Sequence, residues 1–276
     1  MTTTASENGC LLFDSVSELD RLRVQARFWE RDAEALMSHI GVGPGWRCLD
    51  LGCGAMGILR VLSQVVGDEG SVVGLDNDPR MLEAAGRWAV AQRMTNVDLM
   101  VGDAFATALP RSSFDLVHAR FMFCPLGAGD ALLREMIDLT KPGGIVAAQE
   151  PIAASWRFHP RCEPVEKLTD AIVDAFRAGG GNFDAGASTF ALFQDAGLED
   201  VRVGAAAHAL PPGDPYRRLP VQFATSLRQR ILDEHLLSGE ELEELVAAAE
   251  AAAADKSMLA TTFTLTQVWG RKPASI

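Results

Sequence analysis

WRCLDLGCGAMGILRVLSQVVGDEGSVVGLD, residues 46–76, is the stretch whose reading decides the fold. Cys48, Leu49 and Leu51 make a short apolar strand and a glycine-rich turn follows. Ile58, Leu59, Val61, Leu62, Val65 and Val66 then recur at helical spacing, and Val72, Val73 and Leu75 form a second strand that ends on Asp76. Gly52 and Gly54 lack a Cβ, so the chain can bend sharply where the strand ends and its backbone can approach a ligand closely. The helix behind the turn presents unpaired N–H groups. Asp76 arrives at the tip of the neighbouring strand, where a carboxylate accepts hydrogen bonds from both hydroxyls of a ribose. The unit is suited to laying a nucleoside across the strand tips.

Which nucleoside is decided by one acid. Gly52-Cys53-Gly54-Ala55-Met56-Gly57 satisfies G-x-G-x-x-G, and Asp76 lies about 20 residues on, as at a nicotinamide dinucleotide site. Asp50, two residues before the first glycine, would sit badly beside a pyrophosphate and well beside an ammonium. The expected ligand is a nucleoside at one end and an amino acid at the other, as S-adenosylmethionine is.

At this point the chain resembles the class I S-adenosylmethionine-dependent methyltransferases, in particular the small-molecule branch similar to quinone-biosynthesis methyltransferases. Leu49-Asp50-Leu51-Gly52-Cys53-Gly54 matches the family's first motif, and Val73-Gly74-Leu75-Asp76-Asn77-Asp78-Pro79-Arg80-Met81-Leu82 its ribose-binding segment. Gly102-Asp103-Ala104 matches the adenine-binding motif, Phe114-Asp115-Leu116-Val117 the fourth strand, and Leu139-Thr140-Lys141-Pro142-Gly143-Gly144 the turn before the fifth. Met56 stands where the family has a third glycine, with Gly57 one place later. The resemblance implies an α/β fold: a Rossmann-like, doubly wound, seven-stranded sheet whose last strand is antiparallel. It also implies a cofactor site of Asp50, Gly52, Gly54, Asp76, Asn77, Met81, Asp103, Ala104 and Arg120.

With 276 residues, 48% of them hydrophobic, one enlarged domain is expected, with a core over 46–151 and 199–272 and helical cap segments over 11–41, 155–196 and 211–257. The net charge of −12 and the lack of Lys/Arg clusters argue against nucleic acid, as does the missing Asp/Asn-Pro-Pro-aromatic signature after the fourth strand. The five cysteines are scattered without a C-x-x-C pair, so neither a disulfide framework nor a metal site is expected. The polar N-terminus and the absence of an apolar run of about 18 residues lead to the expectation of a cytoplasmic protein away from membranes.

Outward from the decisive stretch, Ser15 and Glu18 have capping-box spacing and open one helix to Ile40, with residues 1–10 frayed before it. The pair Phe28-Trp29 on that helix is either a lid over the cofactor or core packing. The sixth strand is expected over 201–210 and the last within 258–269. Segment 179–186, with its triple glycine, reads as a mobile loop at the acceptor site or a plain surface loop. Helices over 219–236 and 240–253, the second opened by Ser238 and Glu241, either roof the pocket or build a homodimer surface.

Methyl transfer needs an aligned nucleophile and dry surroundings more than it needs a protein base. If the acceptor is a phenol or hydroxyl, His118 at the tip of the fourth strand is the first candidate base and Glu150 the second. His159, His208 and His235 are weaker. Arg120 could instead anchor an acidic acceptor. The expected activity is methylation of O, N or C on a small hydrophobic or aromatic metabolite. The rivals are a nicotinamide-dependent reductase and a protein that keeps the cofactor pocket without transferring a methyl group.

Overall fold

In the computed structural model, which describes residues 16–274, two helices precede the sheet, α1 (Val16–Phe28) and α2 (Glu30–Ile40). The frayed segment and the Ser15 end of the capping box lie outside the described residues. The single helix expected to Ile40 is broken at Trp29, whose indole is fully buried and donates to the Tyr216 hydroxyl at 2.8 Å. Gly41 ends α2 in the left-handed region at φ 79°, where glycine carries no steric penalty.

The main sheet contains β1 (Arg47–Leu51), β2 (Ser71–Asp76), β3 (Val97–Val101), β4 (Phe114–Arg120) and β5 (Thr140–Ile152). Between them run α3 (Leu59–Val66), α4 (Pro79–Ala91), α5 (Phe123–Leu126) and α6 (Gly129–Leu139). Beyond β5 come β6 (Arg157–His159), α7 (Glu163–Ala178), α8 (Gly186–Asp195), β7 (Glu199–Ala206) and β8 (Ala209–Leu210). The chain closes with α9 (Leu219–Ser226), α10 (Arg228–Asp233), α11 (Gly239–Ala254), β9 (Leu259–Thr261) and β10 (Thr264–Arg271). The sheet order is β3-β2-β1-β4-β5-β10-β7, parallel except that β10 runs antiparallel to both β5 and β7. This is the seven-stranded, doubly wound sheet expected from the sequence.

The order reverses between β1 and β4, so a crevice opens at their carboxyl ends. β1 and β4 are buried along nearly their whole length, as apolar runs inside a parallel sheet must be. On one side α3 presents Leu59, Val61, Leu62 and Val66 to the core, and α4 starts on Asp78, which accepts from the Arg80 N–H with Pro79 in the first turn.

Four local expectations change. The strand over 201–210 divides into β7 and β8, and the run over 258–269 into β9 and β10. The pieces β6, β9 and β8 pair as a separate three-stranded sheet. The helix over 219–236 is broken at Leu227 into α9 and α10. The Gly179–Gly186 region is pinned: Asn182 N–H donates to the Cys124 carbonyl at 2.8 Å, and the Asp184 carboxylate accepts from Ala153 N–H at 2.7 Å.

The cap is held by a residue whose role local spacing does not reveal. Arg217, 1% exposed, donates to the carbonyls of Leu210, Ala252, Ala253, Asp255 and Met258. Three of those belong to the last turn of α11 and the residue after it, where carbonyls lack helical partners and a cation is favoured. At the other end of α11, Ser238 accepts from Glu241 N–H at 3.1 Å as its spacing predicts, while the Glu241 carboxylate turns to Lys167.

Candidate active site

A cavity of about 1200 Å³ lies at the carboxyl ends of β1, β2 and β4, and all nine residues predicted to hold the cofactor line it. Its first half is made of loops. Asp76 ends β2, and its carboxylate accepts from Gly54 N–H at 2.8 Å and from Asp78 N–H at 3.0 Å. Burial raises its pKa, against the pull of those two donors. Asn77 and Met81 follow it along the wall, and Asp103 and Ala104 close that end, with Asp103 accepting from Phe105 N–H at 2.9 Å.

Gly52, at φ 72°, is packed so closely that an added Cβ would lie 2.0 Å from the Met122 sulfur. Gly57, at φ 48°, would place a Cβ 2.1 Å from Oδ2 of Asp50 and 2.8 Å from the Cys53 carbonyl. This explains the departure at Met56: the loop needs its third glycine where it passes the Asp50 carboxylate, and that position is 57. Met56 itself is buried and faces the cavity.

Asp50 has a second role beside the expected one. Its Oδ2 accepts from Ile58 N–H at 2.9 Å, at the entrance of α3, and its Oδ1 meets His118 Nδ1 at 2.8 Å. A carboxylate there satisfies an unpaired helix N–H and favours the positive end of the helix dipole. Asp50 lines the cavity, and with one bond to each oxygen its carboxylate both shapes the loop and keeps acceptor capacity for a ligand.

His118 is not a base poised on an acceptor. It is fully buried inside the sheet, held between Asp50 and the Gln149 side chain, with Nε2 to Oε1 at 3.2 Å, and it does not line the cavity. The inward face of a central strand, rather than its tip, determines where this ring goes. An imidazole that donates from Nδ1 accepts at Nε2, and turning the Gln149 amide about its axis would also satisfy its otherwise unpaired nitrogen.

Glu150 is likewise turned away from the acceptor. Fully buried, it accepts from the N–H groups of Met122 and Phe123 through Oε1 and of Cys124 through Oε2, at 2.8–3.0 Å. Burial pushes its pKa up to about 7 although these donors favour the anion. It anchors the turn that carries Met122, Cys124, Pro125 and Leu126 onto the cavity wall.

Arg120 does reach the cavity. Its Nη2 donates to the Gly57 carbonyl at 2.9 Å, while Nη1 is buried with no hydrogen-bond partner among the described residues. Burial lowers its pKa, opposed first by the charge of Asp50. An unpaired guanidinium nitrogen beside the glycine loop is a place for an anion.

The second half of the cavity is aromatic. Phe121, Phe176, Phe183, Phe223 and Phe263 line it and touch in sequence, with ring centroids 5.2–5.8 Å apart and mostly edge-to-face. Phe176 and Phe223 come from α7 and α9, so the cap helices roof the pocket. From α1 it is Arg21, Leu22, Gln25 and Ala26 that line the cavity, and not the pair Phe28-Trp29. Phe28 stacks on Tyr216 at 4.1 Å and Trp29 on Phe263 at 5.3 Å, as core packing. Helical spacing placed α1, but only the packed cap shows which face looks inward. His208 pairs with Asp32 at 3.0 Å and lies outside the cavity lining, as does His159.

A model for a methyltransferase domain matches residues 48–144. The demethylmenaquinone methyltransferase of Listeria monocytogenes serotype 4a (strain HCC23) is 30% identical over 166 residues, covering 57% of this chain and 69% of that protein. The chain belongs to the S-adenosylmethionine-dependent methyltransferases. Aklanonic acid methyltransferase DauC of Streptomyces sp. (strain C5) is 33% identical, over 52% of this chain and 64% of its own length. The match covers 61% of another demethylmenaquinone methyltransferase, so the chain spans less than two-thirds of the first curated relatives. In fold, the chain is similar to a SAM-dependent methyltransferase from Aquifex aeolicus, with TM-score 0.56 and 17% identity over 94% of this chain and 100% of that one. The residues of the loop half fit the family's cofactor: a glycine cradle, a carboxylate at the tip of β2 and an unpaired guanidinium nitrogen.

Proposed function

We propose that this protein transfers the methyl group of S-adenosylmethionine to a small aromatic or hydrophobic metabolite. The observation that carries the proposal is a single cavity with a loop-built nucleoside half and a phenylalanine-lined half, joined at Arg120 and Met122. S-adenosylmethionine supplies the methyl group and its own leaving group. Asp76 would hold the ribose hydroxyls, Asp103 and Ala104 the adenine edge, and Arg120 the carboxylate of the amino-acid end. The phenylalanines would exclude water and hold a flat acceptor in line, which supplies much of the barrier reduction in such a displacement. Relatives named for demethylmenaquinone and for aklanonic acid support a small-metabolite acceptor. The acidic net charge and free cysteines support a cytoplasmic enzyme acting on a metabolite rather than nucleic acid. Among the described residues no helix is long and apolar enough to cross a membrane.

The test is calorimetric titration with S-adenosylmethionine, S-adenosylhomocysteine and NADH, followed by assay of S-adenosylhomocysteine release with a panel of hydroquinones and aromatic acids. The sulfur ligands should bind, and Asp76→Ala should weaken them by about tenfold or more, since it removes an ionised acceptor from the site. Binding of NADH in their place would overturn the assignment. Binding without product from any acceptor in the panel would leave a cofactor-binding protein that does not transfer.

A further inference from the structure

The five phenylalanines of the aromatic half offer contact without direction. Apolar burial can hold a flat molecule there, but it does not choose which edge of that molecule faces the seam at Met122. Beside the rings, on α1, Gln25 is 8% exposed and lines the cavity. Its Oε1 accepts from Arg21 Nη1 at 2.6 Å, one helical turn back. A guanidinium has donors only, so that bond fixes the amide: the oxygen is turned to Arg21, and the nitrogen is the arm left for another partner. The nitrogen has no hydrogen-bond partner among the described residues. The unpaired side-chain atoms that are walled in by protein belong to Arg120, Gln149 and Gln222, so the Gln25 nitrogen is open to the cavity its residue lines. The Arg21 guanidinium lies 4.8 Å from the centroid of the Phe223 ring, which steadies the side chain that holds the amide.

We infer that the acceptor is an aromatic compound with a carbonyl oxygen on its ring system, and that Gln25 donates from Nε2 to that oxygen and selects for it. The inference rests on the methyltransferase assignment and deepens it. An N–H facing an apolar cavity without a partner is costly, and so is a carbonyl carried out of water into a phenylalanine cluster. Paired, each group removes the other's penalty. A site built around such a donor also rejects an analogue that lacks the oxygen, because the donor is then left unpaired. The bond supplies the direction that the rings lack. With one edge of the acceptor tied to α1, its rotation in its own plane is fixed, and a single ring position is presented to the seam. The amide neither gives nor takes a proton at neutral pH, so its part is recognition and orientation.

The experiment compares 9-fluorenone with fluorene, flat molecules of the same outline that differ by a carbonyl against a methylene, by equilibrium dialysis against the full chain with and without saturating S-adenosylhomocysteine. The wild-type protein should bind fluorenone about fivefold or more tightly than fluorene, the scale of a neutral hydrogen bond. Gln25→Leu should turn the preference toward fluorene, since a carbonyl without a donor costs more to dehydrate than a methylene. Gln25→Glu keeps the length of the side chain and an oxygen for Arg21 but has no N–H, so it should also abolish the preference, while S-adenosylhomocysteine affinity stays within about twofold. Equal binding of the two probes to the wild type, tighter binding of fluorene, binding of neither, or a preference that survives Gln25→Glu would overturn the inference. If Gln25→Leu does not fold, the wild-type comparison and Gln25→Glu decide the matter. Failure of S-adenosylhomocysteine to bind would count against the cofactor assignment alone, because the probe comparison is also made without it.

Discussion

The loop half of the cavity is shaped by backbone, and the aromatic half by side chains. In the first, Gly57 passes the Asp50 carboxylate where a Cβ would lie 2.1 Å away, and Gly54 N–H is held by Asp76. The pieces come from neighbouring segments of the chain, so the geometry is specified within the stretch from β1 to the residues after β3. In the second, five phenylalanines converge from helices and from the loops between elements. The difference teaches that a cofactor site can be read from turns, whereas the acceptor pocket is written in contacts between distant elements.

Gly57→Ala attacks the loop half where it has least room. A left-handed φ of 48° and the clash with Asp50 and the Cys53 carbonyl should cost about 3–5 kcal/mol or prevent folding. Urea unfolding and S-adenosylhomocysteine titration read both effects. A variant as stable as the wild type, with unchanged affinity, would break the idea that backbone shape governs this half.

The seam between the halves is sensitive to pH through Glu150. Its folded pKa of about 7 lies above the ordinary value of 4.5, so protonation favours the fold. The stabilising contribution is complete below pH 4.5 and is lost as pH rises through about 7, by about 3 kcal/mol. Glu150→Gln cannot titrate, so the unfolding free energy of the wild type minus that of the variant should fall by that amount across the interval. A flat difference would mean that the N–H groups of Met122, Phe123 and Cys124 fully offset burial, and a difference that rises with pH that they outweigh it.

The smallest effect is expected from Phe223→Leu. It should cost about 1 kcal/mol of stability and leave S-adenosylhomocysteine affinity within about twofold, while an aromatic acid from the acceptor panel binds a few-fold more weakly. Equal losses for both ligands would show that the two halves are one coupled unit and not separable regions.

Much of the loop half was legible from local pattern: the strand-turn-helix-strand unit, Asp76 at a strand tip and Asp103 after β3 all stand where spacing puts them. What spacing misjudged were side chains whose direction depends on a neighbour. His118 read as facing an acceptor, yet its ring turns to Asp50 of the adjacent parallel strand at 2.8 Å. Trp29 sits in the stripe of a helix that it interrupts, because its indole finds Tyr216 far along the chain.

By itself the sequence determined the doubly wound sheet, the cofactor loop and the family, because these depend on hydrophobic period, glycine placement and hydrogen bonds between residues close along the chain. Only the tertiary structure decided that Gly57 is the loop's third glycine, that α1 turns Arg21 rather than Phe28 toward the cavity, and that Glu150 braces a turn. Each of those depends on which surfaces remain facing inward once the cap has packed, and burial of a helix face against another element is not encoded in the spacing of that helix alone.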